Sequence, residues 1–404
     1  AGEFSAAACF DGDVSRGPVA LRWSDGVLVV VEPGAAEAGS SEFTVLPGLV
    51  DTHVHLVGDA AGSGTDFLSW PLVTTREEQV LHGLAHAQRA LAGGVTTLRD
   101  LSADERQVAL RRAGDAGLVV APRILASGVV GMTAGHADLF VPPAHPLRGP
   151  VADSPDECRR LVRTWARAGL DGIKIMTSGG VLSSGDRAGW RNHTRAEVAA
   201  TIDEAHALGL LVAAHAHTEA GIAVALEEGA DSIEHATGMT AAQADLLAAA
   251  GTPVAPTLLI NEAIATGRVP VSAEAREKAA ALVERRDALL RDAADRGVRF
   301  VLGTDANGFH VDFGDQMAEV RRMAAVFGWS PPEALRAATS RAADAIGRGA
   351  GPGALGRLVP GAAADLVVLR GRPAEDLAQL DVSRIVAVVS RGRVVAGALP
   401  GGGS

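Results

Sequence analysis

Eight apolar, strand-like runs alternate with Ala-rich amphipathic segments, and this alternation narrows the possible folds more than any other feature of the chain. The runs are Leu46–Leu56, Val95–Leu101, Arg123–Gly128, Gly172–Thr177, Leu210–Ala216, Asp231–Ala236, Pro253–Leu259 and Val298–Thr304. Helical patterns cover Arg76–Ala92, Ser154–Ala168, Arg195–Leu208, Gly221–Glu228, Ala241–Ala250, Ser272–Arg296 and Asp315–Phe327. Pro155 suits a first helical turn, and Gly169, Gly209, Gly229, Gly251 and Gly297 suit helix exits. Strand–helix alternation repeated eight times predicts an α/β fold closed into a (β/α)8 TIM barrel. An open doubly wound sheet usually carries a glycine-rich turn after its first strand, and none follows Leu46–Leu56.

The chain ends read differently. Residues from about 5 to 46 form short strand patterns such as Pro18–Trp23 and Val27–Glu32, punctuated by Asp25-Gly26 and Pro33-Gly34. After a helical segment at Pro332–Ile346, β character returns at Asp365–Leu369 and Ile385–Val395, with Arg391-Gly392 as a turn. The expectation is a small β-sandwich domain built from residues 1–46 plus 356–400, with a catalytic barrel at 47–355 between its halves.

Composition excludes several function classes. The formal net charge is −11, which argues against a nucleic-acid partner. No apolar run reaches 18 residues and no basic segment precedes an apolar one, so neither a membrane partner nor a secretion signal is expected, and the location expected is cytoplasmic. Two cysteines, Cys9 and Cys158, read as unpaired thiols in a reducing compartment. The chain has no tyrosine, so no Tyr can serve as acid or carboxylate clamp.

Polar residues gather where the apolar runs stop, at the barrel face that carries active sites. The first run ends in Asp51-Thr52-His53-Val54-His55, whose two histidines point to the same side of a strand. Imidazoles there suit a borderline-soft metal such as zinc. Lys174 sits among apolar neighbours in Gly172-Ile173-Lys174-Ile175. A buried ammonium is costly, so this lysine is neutral, ion-paired or carboxylated by CO2. Beside the histidines, the carboxylated form is preferred, because it can bridge two cations. Strand five ends in His215-Ala216-His217, strand six in Glu234-His235 and strand eight in Thr304-Asp305. Four histidines, the modified lysine and one aspartate suffice for two divalent ions and a bridging hydroxide, the nucleophile metals generate near neutral pH. Asp305 is placed to take up its proton and pass it to the leaving group. Alternation alone does not choose between His215 and His217.

With these residues in view, the chain resembles the amidohydrolase superfamily, in the branch of imidazolonepropionase-like and Xaa-Pro-dipeptidase-like enzymes that includes ochratoxin amidase and arginine-carboxypeptidase relatives. The resemblance runs through Leu46–His55, Gly94–Asp100, Asp171–Ile175, Glu234-His235, Gly303–Asp305 and Gly361–Leu366. It implies that His53 and His55 bind the more buried metal. It further implies that Lys174 bridges as N6-carboxylysine, that His215 and His235 bind the second metal, and that Asp305 binds the first and shuttles protons. His136, in Gly135-His136-Ala137, matches a stretch that lines the pocket in this branch and is placed as a carbonyl or carboxylate contact. His217 is placed further out, on the substrate. His193 and His310, in the loops after strands four and eight, are further candidate substrate contacts. Relatives that cleave peptides commonly hold the substrate carboxylate with aromatic or basic residues, and Arg187 or Arg191 are the candidates here.

The expected function is therefore binuclear, zinc-dependent hydrolysis of an amide bond in a small N-acyl amino acid, dipeptide or related amide. The alternatives are hydrolysis of a lactone, cyclic imide, carbamate or urea, since pocket shape makes that choice. Deamination fits less well with Lys174, and a non-catalytic binding protein least of all. A homo-oligomer is compatible with the pattern.

Overall fold

In the computed structural model, which describes residues 1–34, 42–146 and 148–400, seven parallel strands lie side by side in chain order. They are Leu49–Val54, Val95–Ala103, Arg123–Val130, Gly172–Met176, Leu211–Ala216, Ser232–His235 and Val254–Ala255. The eighth run, around residues 300–306, joins both edges. Val301 N–H donates to Val254 O at 3.0 Å on one side. On the other, Thr52 N–H donates to Leu302 O at 2.9 Å, and Asp305 N–H to His53 O at 2.7 Å. The sheet is thereby nearly closed into a barrel. Gly303 permits the close approach, because a Cβ there would lie 2.7 Å from that of Ala255 and 3.0 Å from that of His53.

The helices begin where the sequence supplies caps. Thr75, Thr194 and Thr240 each complete a capping box, and Ser154 and Ser272 accept from the N–H three residues on. The five exit glycines all have positive φ, from 69° at Gly251 to 94° at Gly297, the conformation that favours glycine. Outside the barrel, Trp165, Val198 and Ile202 pack on strand residues such as Ile173, Val212 and Ile233.

Both chain ends contribute to a second unit of two facing sheets. One has three strands, Gly2–Ala6, Val19–Ser24 and Val27–Pro33. The other is mixed and six-stranded, pairing Phe43–Pro47 with Leu366–Arg370, which in turn pairs with Ile385–Ser390. Phe4, Leu21, Trp23, Leu28, Val45 and Leu366 fill the space between them. Asp25-Gly26 and Arg391-Gly392 are two-residue hairpin loops with both φ positive, which matches the twist of antiparallel strands.

Four local readings need correction. The run Leu46–Leu56 is divided, since Leu46 belongs to Phe43–Pro47 of the small unit. The run Pro253–Leu259 contains only a two-residue strand; Thr257 turns left-handed, with φ 45°, and Leu258–Ala265 is a buried helix. A short apolar run does not distinguish a strand from a buried helix. The segment Pro332–Ile346 is two helices, Pro331–Ala338 and Ser340–Ala345, broken at Thr339. A helix at Glu105–Asp115 was not foreseen; its single apolar pair, Val108 and Leu110, gives little periodicity, and only the Asp104 capping box announces it.

Among the described residues no helix is long and apolar enough to cross a membrane. Cys9 and Cys158 are buried free thiols.

Candidate metal centre

The C-terminal strand ends open into one cavity of about 640 Å³. His53, His55, Lys174, His215, His217, His235, Asp305 and His136 all line it. Two donor groups stand out within this set. His53, His55 and Asp305 have ligand atoms within 4.8 Å of one another, as do His215, His217 and His235. The rings of His53 and His235 are 5.1 Å apart, so the two groups adjoin.

Hydrogen bonds fix how each imidazole presents itself. Glu234 pairs with the Arg99 guanidinium at 3.0 Å and accepts from Ser232 Oγ at 2.7 Å, which leaves its Oε2 to accept from His53 Nδ1 at 2.8 Å. A carboxylate only accepts, so the His53 proton sits on Nδ1 and Nε2 is free to bind a cation. His235 Nδ1 lies 2.7 Å from Thr257 Oγ1, and His217 Nδ1 lies 2.8 Å from Thr237 Oγ1. His215 is turned the other way: its Nε2–H donates to Gly179 O at 3.1 Å, leaving Nδ1 as the lone-pair donor. The buried Nδ1 of His55 has no hydrogen-bond partner, while its Nε2 is 2.9 Å from Asp305 Oδ1. Imidazoles oriented by oxygen atoms on one side, with unshared lone pairs on the other, form a donor set suited to divalent ions.

Burial and charge agree with that orientation. Desolvation, reinforced by Lys174, lowers His53 to about 4. Burial and the other histidines hold His215 and His235 well below the usual range, so both are neutral. Burial alone would raise Asp305, but His53, His55 and Lys174 together pull it down, and it is ionised. Burial lowers Lys174 to about 8 against the opposing pull of Glu234 and Asp305. Those two carboxylates are also engaged with Arg99 and His55 respectively. Lys174 acts electrostatically on members of both donor groups.

The backbone is strained at the same place. His235, Thr257 and Asp305 have φ of 71°, 45° and 58°, a region most side chains avoid and which clusters at functional sites. Beneath them, buried Asp51 accepts from Thr304 Oγ1 at 2.6 Å and from His53 N–H at 3.2 Å.

The remaining candidates separate. His136 stacks on His215, with ring centroids 4.6 Å apart. His193 is buried behind the cavity with Nδ1 3.3 Å from Met176 O, and it is not part of the lining. His310 is also behind it, joined to Asn307 at 3.1 Å and packed on Phe67. Arg187 and Arg191 are exposed and do not line the cavity. The cations at the mouth are instead Arg76, Arg106 and Arg148. Each is paired with a carboxylate: Arg76 and Arg106 with Asp104, Arg148 with Asp138. Phe67, Trp70, Phe140 and Phe309 form an aromatic wall, Phe67 meeting Phe140 and Phe309 edge-on at 5.5 and 5.6 Å.

Sequence reasoning passed over Glu234, Arg99, Thr237 and Thr257. The first two stand inside the matched segments Glu234-His235 and Gly94–Asp100, which was the available signal. The threonines carried none, because hydroxyls that orient imidazoles look like any other loop residues.

Comparison with known proteins agrees with this geometry. Residues 44–395 match the amidohydrolase family model. The chain is 30% identical over 367 residues to ochratoxinase of Aspergillus niger, covering 86% of this chain and 74% of that protein. It is 28% identical over 384 residues to imidazolonepropionase of Salinispora tropica, covering 87% and 85%. Among solved structures, a Xaa-Pro dipeptidase with methionine bound in its active site superposes with a TM-score of 0.86 at 29% identity, covering 97% of this chain and 98% of that one.

Proposed function

The chain belongs to the amidohydrolase family, and on that premise we propose that it is a binuclear metal-dependent hydrolase cleaving an amide bond in a small N-acyl amino acid, dipeptide or related amide. The observation that carries this reading is the convergence of two three-residue donor groups in one cavity. His53, His55 and Asp305 would hold one ion, and His215 and His235 the other. His217 completes the second group geometrically and also faces the substrate space.

Lys174 is suited to join the two ions as N6-carboxylysine. Its lowered pKa makes a neutral amine accessible. The nitrogen lone pair would add to CO2, and loss of one proton would leave a carbamate, an anionic oxygen donor for divalent ions. Histidine and carboxylate donors of this kind suit Zn2+ among others.

Two divalent ions there would polarise the scissile carbonyl and lower the pKa of the attacking water. Asp305 would take one proton from that water and deliver it to the amide nitrogen as the C–N bond breaks; the acid product then releases the second proton to solvent, leaving a carboxylate and an amine. The aromatic wall excludes water from the reacting carbonyl and accepts an apolar portion of the substrate.

The test combines metal analysis with a substrate panel. Metal-replete protein should carry two equivalents per chain and hydrolyse members of a set of N-acyl amino acids, dipeptides and aryl amides. A protein that binds no metal, or that stays inert toward the whole panel with each of several metals, would overturn the reading.

A further inference from the structure

His136 is held by a chain of hydrogen bonds that begins on a distant helix. Lys278, on the helix Ala273–Asp295, donates to Asp186 Oδ1 at 2.8 Å and to Ser183 O at 2.7 Å. Ser183 Oγ lies 2.7 Å from the same Asp186 oxygen and 2.8 Å from His136 Nδ1. Ser183 and Asp186 are both buried. The second Asp186 oxygen accepts from Gly180 N–H at 3.3 Å. The imidazole packs so closely on Gly180 that a Cβ there would lie 2.0 Å from its Cε1, and it stacks on His215. Its position is therefore fixed by the loop that carries Gly180, Ser183 and Asp186, by the strand end at His215 and, through Lys278, by a helix.

The direction of these bonds can be read from the donor inventory. Asp186, paired with the Lys278 ammonium, only accepts. The Ser183 hydroxyl must give its proton to Asp186, and so it receives from His136. That places the His136 proton on Nδ1 and leaves Nε2 as the ring atom available to the cavity, with a lone pair and no proton.

We propose that Lys278, Asp186 and Ser183 form a positioning relay that makes His136 a hydrogen-bond acceptor for the substrate, so that the site selects amides bearing an N–H on the scissile nitrogen over N-alkylated, proline-type amides. This rests on the reading of the cavity as an amide-hydrolysing site. An Nε2 lone pair beside His215 lies next to the second donor group, where the scissile carbonyl would be held and its nitrogen is one bond away. Accepting the N–H orients that nitrogen so that its own lone pair is free for the proton arriving from Asp305. A tertiary amide offers no proton to Nε2.

Two measurements test the proposal separately. In metal-replete protein labelled with 15N-histidine, long-range 1H–15N spectra, with the His136 signals assigned through His136→Gln, should show the Nδ1–H tautomer. Asp186→Ala should shift it toward Nε2–H, because the Ser183 hydroxyl, without its acceptor, is free to donate to the ring. An Nε2–H tautomer in the wild type would overturn the relay. Matched substrates differing only by N–H against N–CH3 at the scissile nitrogen should then differ about 10–100-fold in kcat/KM, the scale of one hydrogen bond left unmade. That ratio should fall toward one in Asp186→Ala and in Ser183→Ala. Equal rates for the two substrates in the wild type, or an undiminished ratio in both variants, would overturn the selectivity. If no amide is hydrolysed while the Nδ1–H tautomer is found, the proposed function and the selectivity fall and the relay stands.

Discussion

His53 Nδ1 lies 2.8 Å from Glu234 Oε2, and both side chains are buried. Glu234 thus decides which nitrogen of His53 carries the proton, and with it whether Nε2 can act as a ligand. In Glu234→Gln the amide can turn its NH2 toward Nδ1 and drive the proton to Nε2. Loss of such an orienting partner typically costs 10–100-fold in metal affinity or activity. The expected result is a folded protein, by circular dichroism, with metal affinity weakened on that scale in a competitive chelator titration. Unchanged affinity would mean that packing alone orients His53.

Carboxylation of Lys174, as proposed, predicts a pH-dependent assembly of the centre. The lysine pKa is lowered from 10.5 to about 8 by burial, so the neutral amine is about a tenth of the population at pH 7 and about nine tenths at pH 9. Only the neutral form adds CO2. Recovery of activity after metal removal, at fixed dissolved CO2 and metal, should therefore speed up as pH rises from 7 to 9 and level off above. Lys174→Met, which cannot add CO2, should recover no activity at any pH in this range. A recovery rate flat across that range would exclude carboxylation as the slow step.

The barrel was legible because its signals are redundant. Eight apolar runs, five glycines at helix exits and the capping residues point to one architecture, and errors at single elements do not alter it. The parts that were misread have physical reasons. Leu258-Leu259-Ile260 is apolar on every side because the helix is buried, so no period distinguishes it from a strand. The candidate donors were legible because each stands where a strand stops. His193, Arg187 and Arg191 also stand in loops near the site, but loop direction is set by contacts such as the His193–Met176 bond, which sequence spacing does not encode. Arg148, at the mouth, lies 10 positions from its partner Asp138 and gave no pattern to read.

A stability prediction concerns the helix Leu258–Ala265, which lines the cavity with Ile260, Asn261 and Ile264. Fully buried Arg286 donates to Leu258 O at 3.0 Å and pairs with Glu262 and with Asp287, the latter at 2.8 Å. Removing one partner from a buried ion network costs ~3–5 kcal/mol. Arg322 still reaches Glu262 at 2.9 Å, which places Arg286→Met at the low end of that range. The denaturant midpoint should fall accordingly, and the double variant with Glu262→Gln should recover part of the loss. If the two substitutions simply add, the pair is not energetically coupled.

Thr257 combines two constraints that can be separated. Its φ of 45° is unfavourable for a β-branched residue, and its Oγ1 is 2.7 Å from His235 Nδ1. It also immediately precedes the helix whose first amides, Leu258 and Leu259, donate to buried Glu319 at 2.6 and 3.0 Å. The backbone strain is thus sustained by the helix, while the hydroxyl orients the imidazole. Thr257→Val keeps the branched shape and the strain but removes the oxygen. It should leave the melting temperature nearly unchanged, lower metal content from two equivalents toward one, and reduce kcat/KM by about 10–100-fold. Thr257→Ser keeps the hydroxyl and should restore both. If the valine variant keeps two equivalents and full activity, His235 is oriented by its neighbours His215 and His217, whose rings lie 4.7 and 4.6 Å away, and the left-handed turn serves only to start the helix.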